Sequence, residues 1–300
     1  MEMHQLRGFY YSARLKSLTK AAEKLAVTQS AVTQQIKNLE RNLNVQLFNR
    51  FGPRKELTPE GQLLFDLVAP LVQEFETVES TFEDLKGQEH GAMTIAATTV
   101  MIMNFLPFVV KRFARQYPRV RLVIRERRWD EIIELAQLGE IDMGISPIVK
   151  MPANLQYFPL EPIGRVLITG LGHPLAQKSL VTLADIAQYP MIAYEQGTVA
   201  RGEVDRVFQR AELNVEVVLE ATNAETIKRY VEMGIGIAII PKIALMPEQN
   251  PRLIAIPVHD QFEETHYGVI LRKGKHLTTW AKNFLLLLNP ALHDRLHPER

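Results

Sequence analysis

Residues 18–58 read LTKAAEKLAVTQSAVTQQIKNLERNLNVQLFNRFGPRKELT. Ser17 and Thr19 can cap a helix that buries Ala22 and Leu25, because a hydroxyl there accepts an amide hydrogen that the first turn leaves unpaired. Just before this helix, Phe9, Tyr10 and Ala13 give another its apolar face. Thr28 is placed to cap a third helix. In it Val32, Ile36, Leu39 and Leu43 recur at i, i+4, i+7 and i+11, which is one buried face. The opposite face carries Ser30, Thr33, Gln34, Lys37 and Arg41. Ser, Thr and Gln can hydrogen-bond base edges, and Lys can reach bases or phosphate. A helix-turn-helix sets the N-terminal part of its second helix in the major groove. The same spacing also fits a small helical bundle whose polar face is only solvated.

Beyond this helix Val45, Leu47 and Phe48 alternate, and NRFGPRKELT (49–58) suggests two short strands around Gly52-Pro53. Arg50, Arg54 and Lys55 would stand on that wing, near the phosphates or the minor groove. Neutralising phosphates releases counterions, so such binding depends steeply on salt.

Charge divides the chain in the same way. Residues 1–60 hold ten Lys/Arg against five Asp/Glu, and residues 61–90 hold one Lys against seven acids. The remaining 210 residues hold 24 basic and 22 acidic side chains. A basic head, an acidic rod and a near-neutral body follow. A length of 300 residues suggests about two domains. Cysteine is absent, which rules out a disulfide framework or a thiolate zinc site and favours the cytoplasm. No apolar run approaches the roughly 20 residues of a membrane span. The start, MEMHQLRGFYYSARL, lacks the apolar stretch of a signal peptide.

In the rod, Leu64, Val68, Leu71, Phe75, Val78, Phe82 and Leu85 follow a 4-3 alternation, an a/d seam that a lone helix cannot bury. A partner helix is expected, or else packing on the chain's own domain. Pro70 removes a backbone donor and should kink the helix. Residues 86–91 (KGQEHG) suggest a hinge.

From residue 92 short apolar runs alternate with helical patterns: MTIAA, the Pro107 helix, Val120–Ile124, a helix capped by Asp130, and IDMGI. A second unit starts near Pro162 with VLITG, TLAD, PMIAY, GEVDRVFQRA, EVVLE, AETIKRYVEMG and GIAII. YGVILR then suggests a return strand, and LTTWAKNFLLLLN a last helix. Strands separated by helices imply parallel sheets, here in two small α/β lobes with a cleft. Open sheets bind ligands beyond the carboxyl ends of their strands. Those ends place Thr98, Thr99, Val100, Met101, Ser146, Gly197, Thr198, Arg201, Thr222 and Asn223 at the cleft. Thr98, Thr99, Ser146 and Thr198 are candidate hydrogen-bonders, and Arg201 is a candidate anion partner. The alternative for each is a helix cap or a solvated side chain.

AAEKLAVTQSAVTQQIKNLERNLNVQLFNR (21–50) followed by LTPEGQ (57–62) resembles the winged helix-turn-helix of LysR-type transcriptional regulators. GEIDMGI, GHPLA, LADIAQYPMIAY and VEMGIGIAIIP extend the resemblance through the body. Ser30 stands where the family often has Pro, and Thr33 where it often has Ser. The resemblance implies an α/β chain with an α+β head. The head, 1–58, is a winged helix-turn-helix; residues 59–90 form a linker/dimerisation helix and hinge. Residues 91–300 form an effector-binding domain like periplasmic binding proteins. Its lobe I spans about 91–161 and 268–300, and its lobe II about 162–267. It implies DNA contacts at Thr28, Gln29, Ser30, Thr33, Gln34, Lys37, Arg50, Arg54 and Lys55. It also implies self-association as dimer or tetramer through the rod, and a small metabolite in the cleft. The partners are double-stranded promoter DNA, a small-molecule effector and, as a further candidate, RNA polymerase.

ATTVMIMNFLP (97–107) is similar to the family's sulfur-metabolism branch, whose sites hold small anions with Thr, Thr and Gln at this turn. Thr98 keeps the pattern, while Val100 and Met101 replace polar positions. The pocket should then be less polar, which disfavours inorganic sulfate and suits an organic acid or a partly apolar metabolite.

A solute-binding or enzymatic α/β protein with an accessory helical head is the competing class, and a ligand-independent architectural DNA binder is a third. No Gly-rich phosphate loop, GxSxG elbow or HExxH occurs. His276, His293 and His297 lie in or near the tail and the other histidines are scattered, so no metal or cofactor is expected. Arg125, Arg127 and Arg128 could hold an anion, or else form a solvated strand end or a subunit contact.

Overall fold

The first helices form where their caps allow. Glu2 opens helix α1 (Met3–Leu15) through a reciprocal pair with Gln5. Ser17 accepts from the Lys20 amide at the start of α2 (Leu18–Leu25), and Thr28 from the Ala31 amide at the start of α3 (Gln29–Leu43). Thr19, the other expected cap, donates instead to Gln29 Oε1 at 3.1 Å. The three helices end at Lys16, Ala26 and Asn44 in left-handed conformation. Phe9, Tyr10, Ala21, Val32 and Leu39 are buried together. Leu43, expected on the same face, is exposed because α3 outruns the helices that cover it.

The computed structural model describes residues 1–49, 56–85, 91–246, 248–258 and 260–292, with backbone alone at 77, 79–81 and 83–85. Arg50, Gly52, Pro53, Arg54 and Lys55 therefore lie outside the described residues, as does most of the expected hinge. The base of the wing is described: Phe48 pairs antiparallel with Leu57, and the Asn49 amide donates to the Glu56 carbonyl at 2.9 Å. Glu40 of α3 accepts from the Leu47 amide at 2.8 Å, fixing the recognition-type helix to the wing.

Helix α4 (Pro59–Leu85) runs unbroken through Pro70. Gly61 lets its first turn pass the Leu47 carbonyl, since a Cβ there would lie 2.1 Å from that oxygen. The expected seam divides. Val68 is buried in the head's own core with Ala69 and Val72, and Leu64 packs against it. Leu71, Phe75, Val78 and Phe82 are exposed, and Leu63 and Leu67 continue their stripe. One face of α4 closes the head, so the exposed stripe starts at Leu63 and Leu67 rather than at Leu64 and Val68. The Leu85 side chain lies outside the described residues. Tyr11 of α1 donates to Glu76 of α4 at 2.5 Å, and Gln73 Nε2 to the Tyr10 hydroxyl at 2.6 Å.

Residues Met1–Gln88 with Gln137–Glu140 form one unit, and Glu89–Ala136 with Ile141–Arg300 a second. In the second, strand β1 (Gly91–Ala97) leads to α5 (Thr99–Asn104), α6 (Leu106–Gln116), β2 (Val120–Glu126), α7 (Trp129–Gln137), β3 (Met143–Pro147) and β4 (Leu155–Pro159). Then come β5 (Arg165–Gly170), α8 (Leu183–Ile186), β6 (Met191–Tyr194), α9 (Val199–Arg210), β7 (Val217–Ala221), α10 (Ala224–Glu232), β8 (Ala238–Pro241), β9 (Leu253–Pro257), β10 (Tyr267–Arg272) and α11 (Thr279–Leu288).

One lobe is a five-stranded sheet ordered β2-β1-β3-β10-β4. Its other lobe combines β8-β5-β9 with the parallel pair β6-β7, and a Met191–Ile237 bridge links the two pieces. The sheets are mixed rather than parallel: β10 runs antiparallel to β3 and β4, and β5 antiparallel to β8 and β9. The reason is that β10 and β5 enter by crossover segments instead of βαβ units. The two crossovers pair at Ile163–Thr265. There the buried Arg165 bonds to Glu203 and, at 3.1 Å, to Thr265.

Candidate functional site

The carboxyl ends of β1, β2, β3, β6, β7 and β8 meet around a cavity of about 390 Å³, a size that suits a metabolite. Four helices begin on it. Thr98–Val100 precede and open α5, Arg128 and Trp129 α7, Thr198–Ala200 α9, and Thr222–Ala224 α10. Of the residues expected there, Thr98, Thr99, Val100, Thr198, Thr222 and Asn223 line the cavity.

Their states differ. Thr99 Oγ1 donates to Glu126 Oε1 at 2.6 Å, and Thr198 Oγ1 donates to the Glu195 carbonyl while accepting from the Arg201 amide. Thr98 stands at the cap position of α5 without making a side-chain cap bond. Its Oγ1 is buried and has no hydrogen-bond partner among the described residues. A buried hydroxyl left unpaired costs about 1–3 kcal/mol, which a ligand acceptor or donor would recover.

Four expected residues are placed elsewhere. Arg201 is buried, and its guanidinium is spent on Asp205 at 2.7 Å, Glu220 at 2.6 Å and the Tyr194 carbonyl at 2.9 Å. One turn into α9, it faces β6 and β7 instead of the cavity. Ser146 is fully buried within β3, with its hydroxyl on the Pro147 carbonyl. Met101 turns into a separate cavity of about 820 Å³ that it shares with Phe105, Leu160 and Arg165. Gly197 contributes its carbonyl, 3.4 Å from Arg128 Nη2, and no wall.

Arg127, Arg128, Trp129, Tyr194 and Tyr267 complete the cavity. The sequence marks the arginines only as a cluster. The tyrosines end PMIAY and open YGVILR, so strand-end topology could have found them. Burial pushes the Tyr267 phenol up to about 12 and raises Tyr194 further, so both stay neutral through the physiological range. Among the described residues no group of His, Asp or Glu suits a metal ion, and no helix is long and apolar enough to cross a membrane.

On α3, Thr28, Gln29, Ser30, Gln34 and Lys37 are exposed, and Thr33 is half-buried. Thr28 and Ser30 hydroxyls lie 2.9 Å apart, Thr33 donates to the Gln29 carbonyl, and Gln34 Nε2 donates to Asn38 Oδ1 at 2.8 Å. These bonds set side-chain direction along the outer face while leaving acceptors and donors for a partner.

The family described as "LysR substrate binding domain" matches residues 86–292. The chain belongs to the LysR family of transcriptional regulators. Residues 3–62 match "Bacterial regulatory helix-turn-helix protein, lysR family". The HTH-type transcriptional regulator CysB of Burkholderia cenocepacia is 32% identical over 299 residues, covering 99% of this chain and 96% of its own length. SsuR of the same organism is 32% identical over 298 residues, covering 98% and 96%. The crystal structure of the cofactor-binding domain of the Cbl transcriptional regulator superposes with a TM-score of 0.65 at 32% identity, covering 69% of this chain and 91% of that one. These relatives belong to the cysteine and sulfur-regulator branch. This LysR-family chain is thus a ligand-responsive transcriptional regulator with a DNA-binding head and an effector-binding body.

Proposed function

We propose that the cavity beside Thr98 takes a small organic acid or small anion, and that its occupation sets how paired heads engage promoter DNA. The buried, unpartnered Thr98 hydroxyl carries this reading: it is a polar group waiting for a ligand at the carboxyl end of β1. A ligand that prefers one arrangement of the two lobes shifts the chain toward that arrangement, and the linker passes the shift to the heads.

On the DNA side, Thr28, Gln29, Ser30, Thr33, Gln34 and Lys37 read or flank the bases, and Arg50, Arg54 and Lys55 neutralise phosphates. The exposed stripe Leu71, Phe75, Val78 and Phe82 supports self-association as dimer or tetramer, since such a face is costly to leave in water. Residues 1–58, 59–90 and 91–300 then act as reader, coupler and sensor. The regulator works in the cytoplasm, and RNA polymerase is its further partner.

A thermal-shift screen of metabolites on wild type and Thr98→Ala tests the sensor. The expected result is a ligand that raises the melting temperature of wild type and raises that of Thr98→Ala much less. Equal shifts for every active metabolite would remove Thr98 from the site.

A further inference from the structure

With Arg201 saturated, the arginines at the cavity are Arg127 and Arg128, at the turn between β2 and α7; Arg127 Nη1 donates to the Glu126 carbonyl at 2.6 Å, which leaves Arg128 as the candidate anion partner. Its backbone amide donates to Glu131 Oε2 at 2.9 Å, which fixes the turn. Its side chain makes only long contacts: Nε lies 3.4 Å from Asp130 Oδ1 and Nη2 lies 3.4 Å from the Gly197 carbonyl. The first partner is on its own lobe and the second is on the other. At 52% exposure the side chain keeps donors to spare. Gly197 has φ +80°, and a Cβ there would come within 3.4 Å of the same Nη2, so the turn leaves room for the guanidinium.

We propose that Arg128 selects the charge of the effector. It holds the carboxylate or sulfonate of an organic monoanion at the mouth of the cavity and ties that anion to both lobes through Gly197. The proposal rests on the cavity being the effector site. A guanidinium suits such groups because its fork matches two oxygens at once. The body of the ligand is organic because Val100, Trp129, Pro147, Val199 and Tyr267 line the remaining space. Glu126, Glu131 and Glu195 line the same cavity as Arg127 and Arg128, so a negative charge is favoured only where it meets a guanidinium directly, and a second one elsewhere in the cavity faces carboxylates.

Titration calorimetry on the full chain with benzoate, benzenesulfonate, benzamide and inorganic sulfate tests this. Benzoate or benzenesulfonate should bind wild type about tenfold or more tighter than neutral benzamide, and tighter than sulfate. The ratio of the two organic anions tells carboxylate from sulfonate preference. Arg128→Gln should bring the anions down to the benzamide level with benzamide unchanged, and Arg128→Lys should restore part of the preference. Melting curves should match wild type, because the side chain is half exposed. Anion preference that survives Arg128→Gln, tighter binding of sulfate, or no binding of any organic probe overturns the proposal. Ala200→Trp, which fills the cavity, should abolish binding of all four. Binding that persists in Ala200→Trp would show instead that the cavity reading itself fails.

Discussion

The reading face of α3 and the effector cavity use the same chemistry, hydroxyls, amides and guanidiniums, but they are assembled in opposite ways. The face of α3 lies on one helix, where the 3.6-residue period alone decides which side chains point outward. The cavity draws on segments between Thr98 and Tyr267, each delivered by a different strand end. Sequence therefore identifies which side chains of α3 are exposed, residue by residue. For the cavity it identifies turns, and a turn does not say which way each side chain faces.

Helix α4 gives the sharpest way to break this contrast, because one amphipathic pattern there serves two neighbours. Val68→Asp should unfold the head, since burying a carboxylate in its core costs about 4 kcal/mol or more. Leu71→Asp, on the exposed stripe, should leave the melting temperature nearly unchanged while sedimentation shows loss of self-association. If both variants melt alike and both self-associate, the division of the seam is wrong.

Arg201→Ala should cost the effector domain about 1–3 kcal/mol in chemical denaturation. The guanidinium is buried, but Asp205 and Glu220 are about half exposed, which moderates the loss. Effector affinity should stay within about twofold, whereas a large loss of affinity at unchanged stability would return Arg201 to the site.

Gln34→Ala should reduce discrimination between cognate and altered operators by about 1–2 kcal/mol in competition binding, with nonspecific affinity unchanged. A uniform drop would make Gln34 a structural residue, through its bond to Asn38. The smallest effect is expected for Thr98→Val. Removing a buried, unpaired hydroxyl should raise the stability of the free protein by about 1 kcal/mol or less and weaken the effector. Destabilisation would mean that the hydroxyl already has a role without ligand.

Much of the fold was legible because its signals are local. Ser17, Thr28, Thr182 and Thr198 cap helices where a hydroxyl precedes an apolar period. The strands β1, β2, β3, β5, β6, β7, β8 and β10 stand out as short apolar runs. Strands β4 and β9 did not, because LQYFP and LIAIP each end in proline and follow the preceding strand without an α-helix between. Strand direction was also hidden: the antiparallel entry of β10 depends on a crossover pairing over a hundred residues apart in sequence. In the cavity, Thr98 and Thr198 follow from strand-end topology, but Ser146 and Arg201 turn inward, and Arg128 became distinguishable from Arg125 only once the turn after β2 was placed.

The central claim is that α3 reads DNA as half of a paired reader. Fluorescence anisotropy and footprinting of the full chain on its own upstream DNA test it most directly. Affinity should fall by about a thousandfold between roughly 50 and 200 mM salt, with two protected half-sites spaced by whole turns of the double helix. Salt-insensitive binding, or equal affinity for scrambled DNA, would contradict the account.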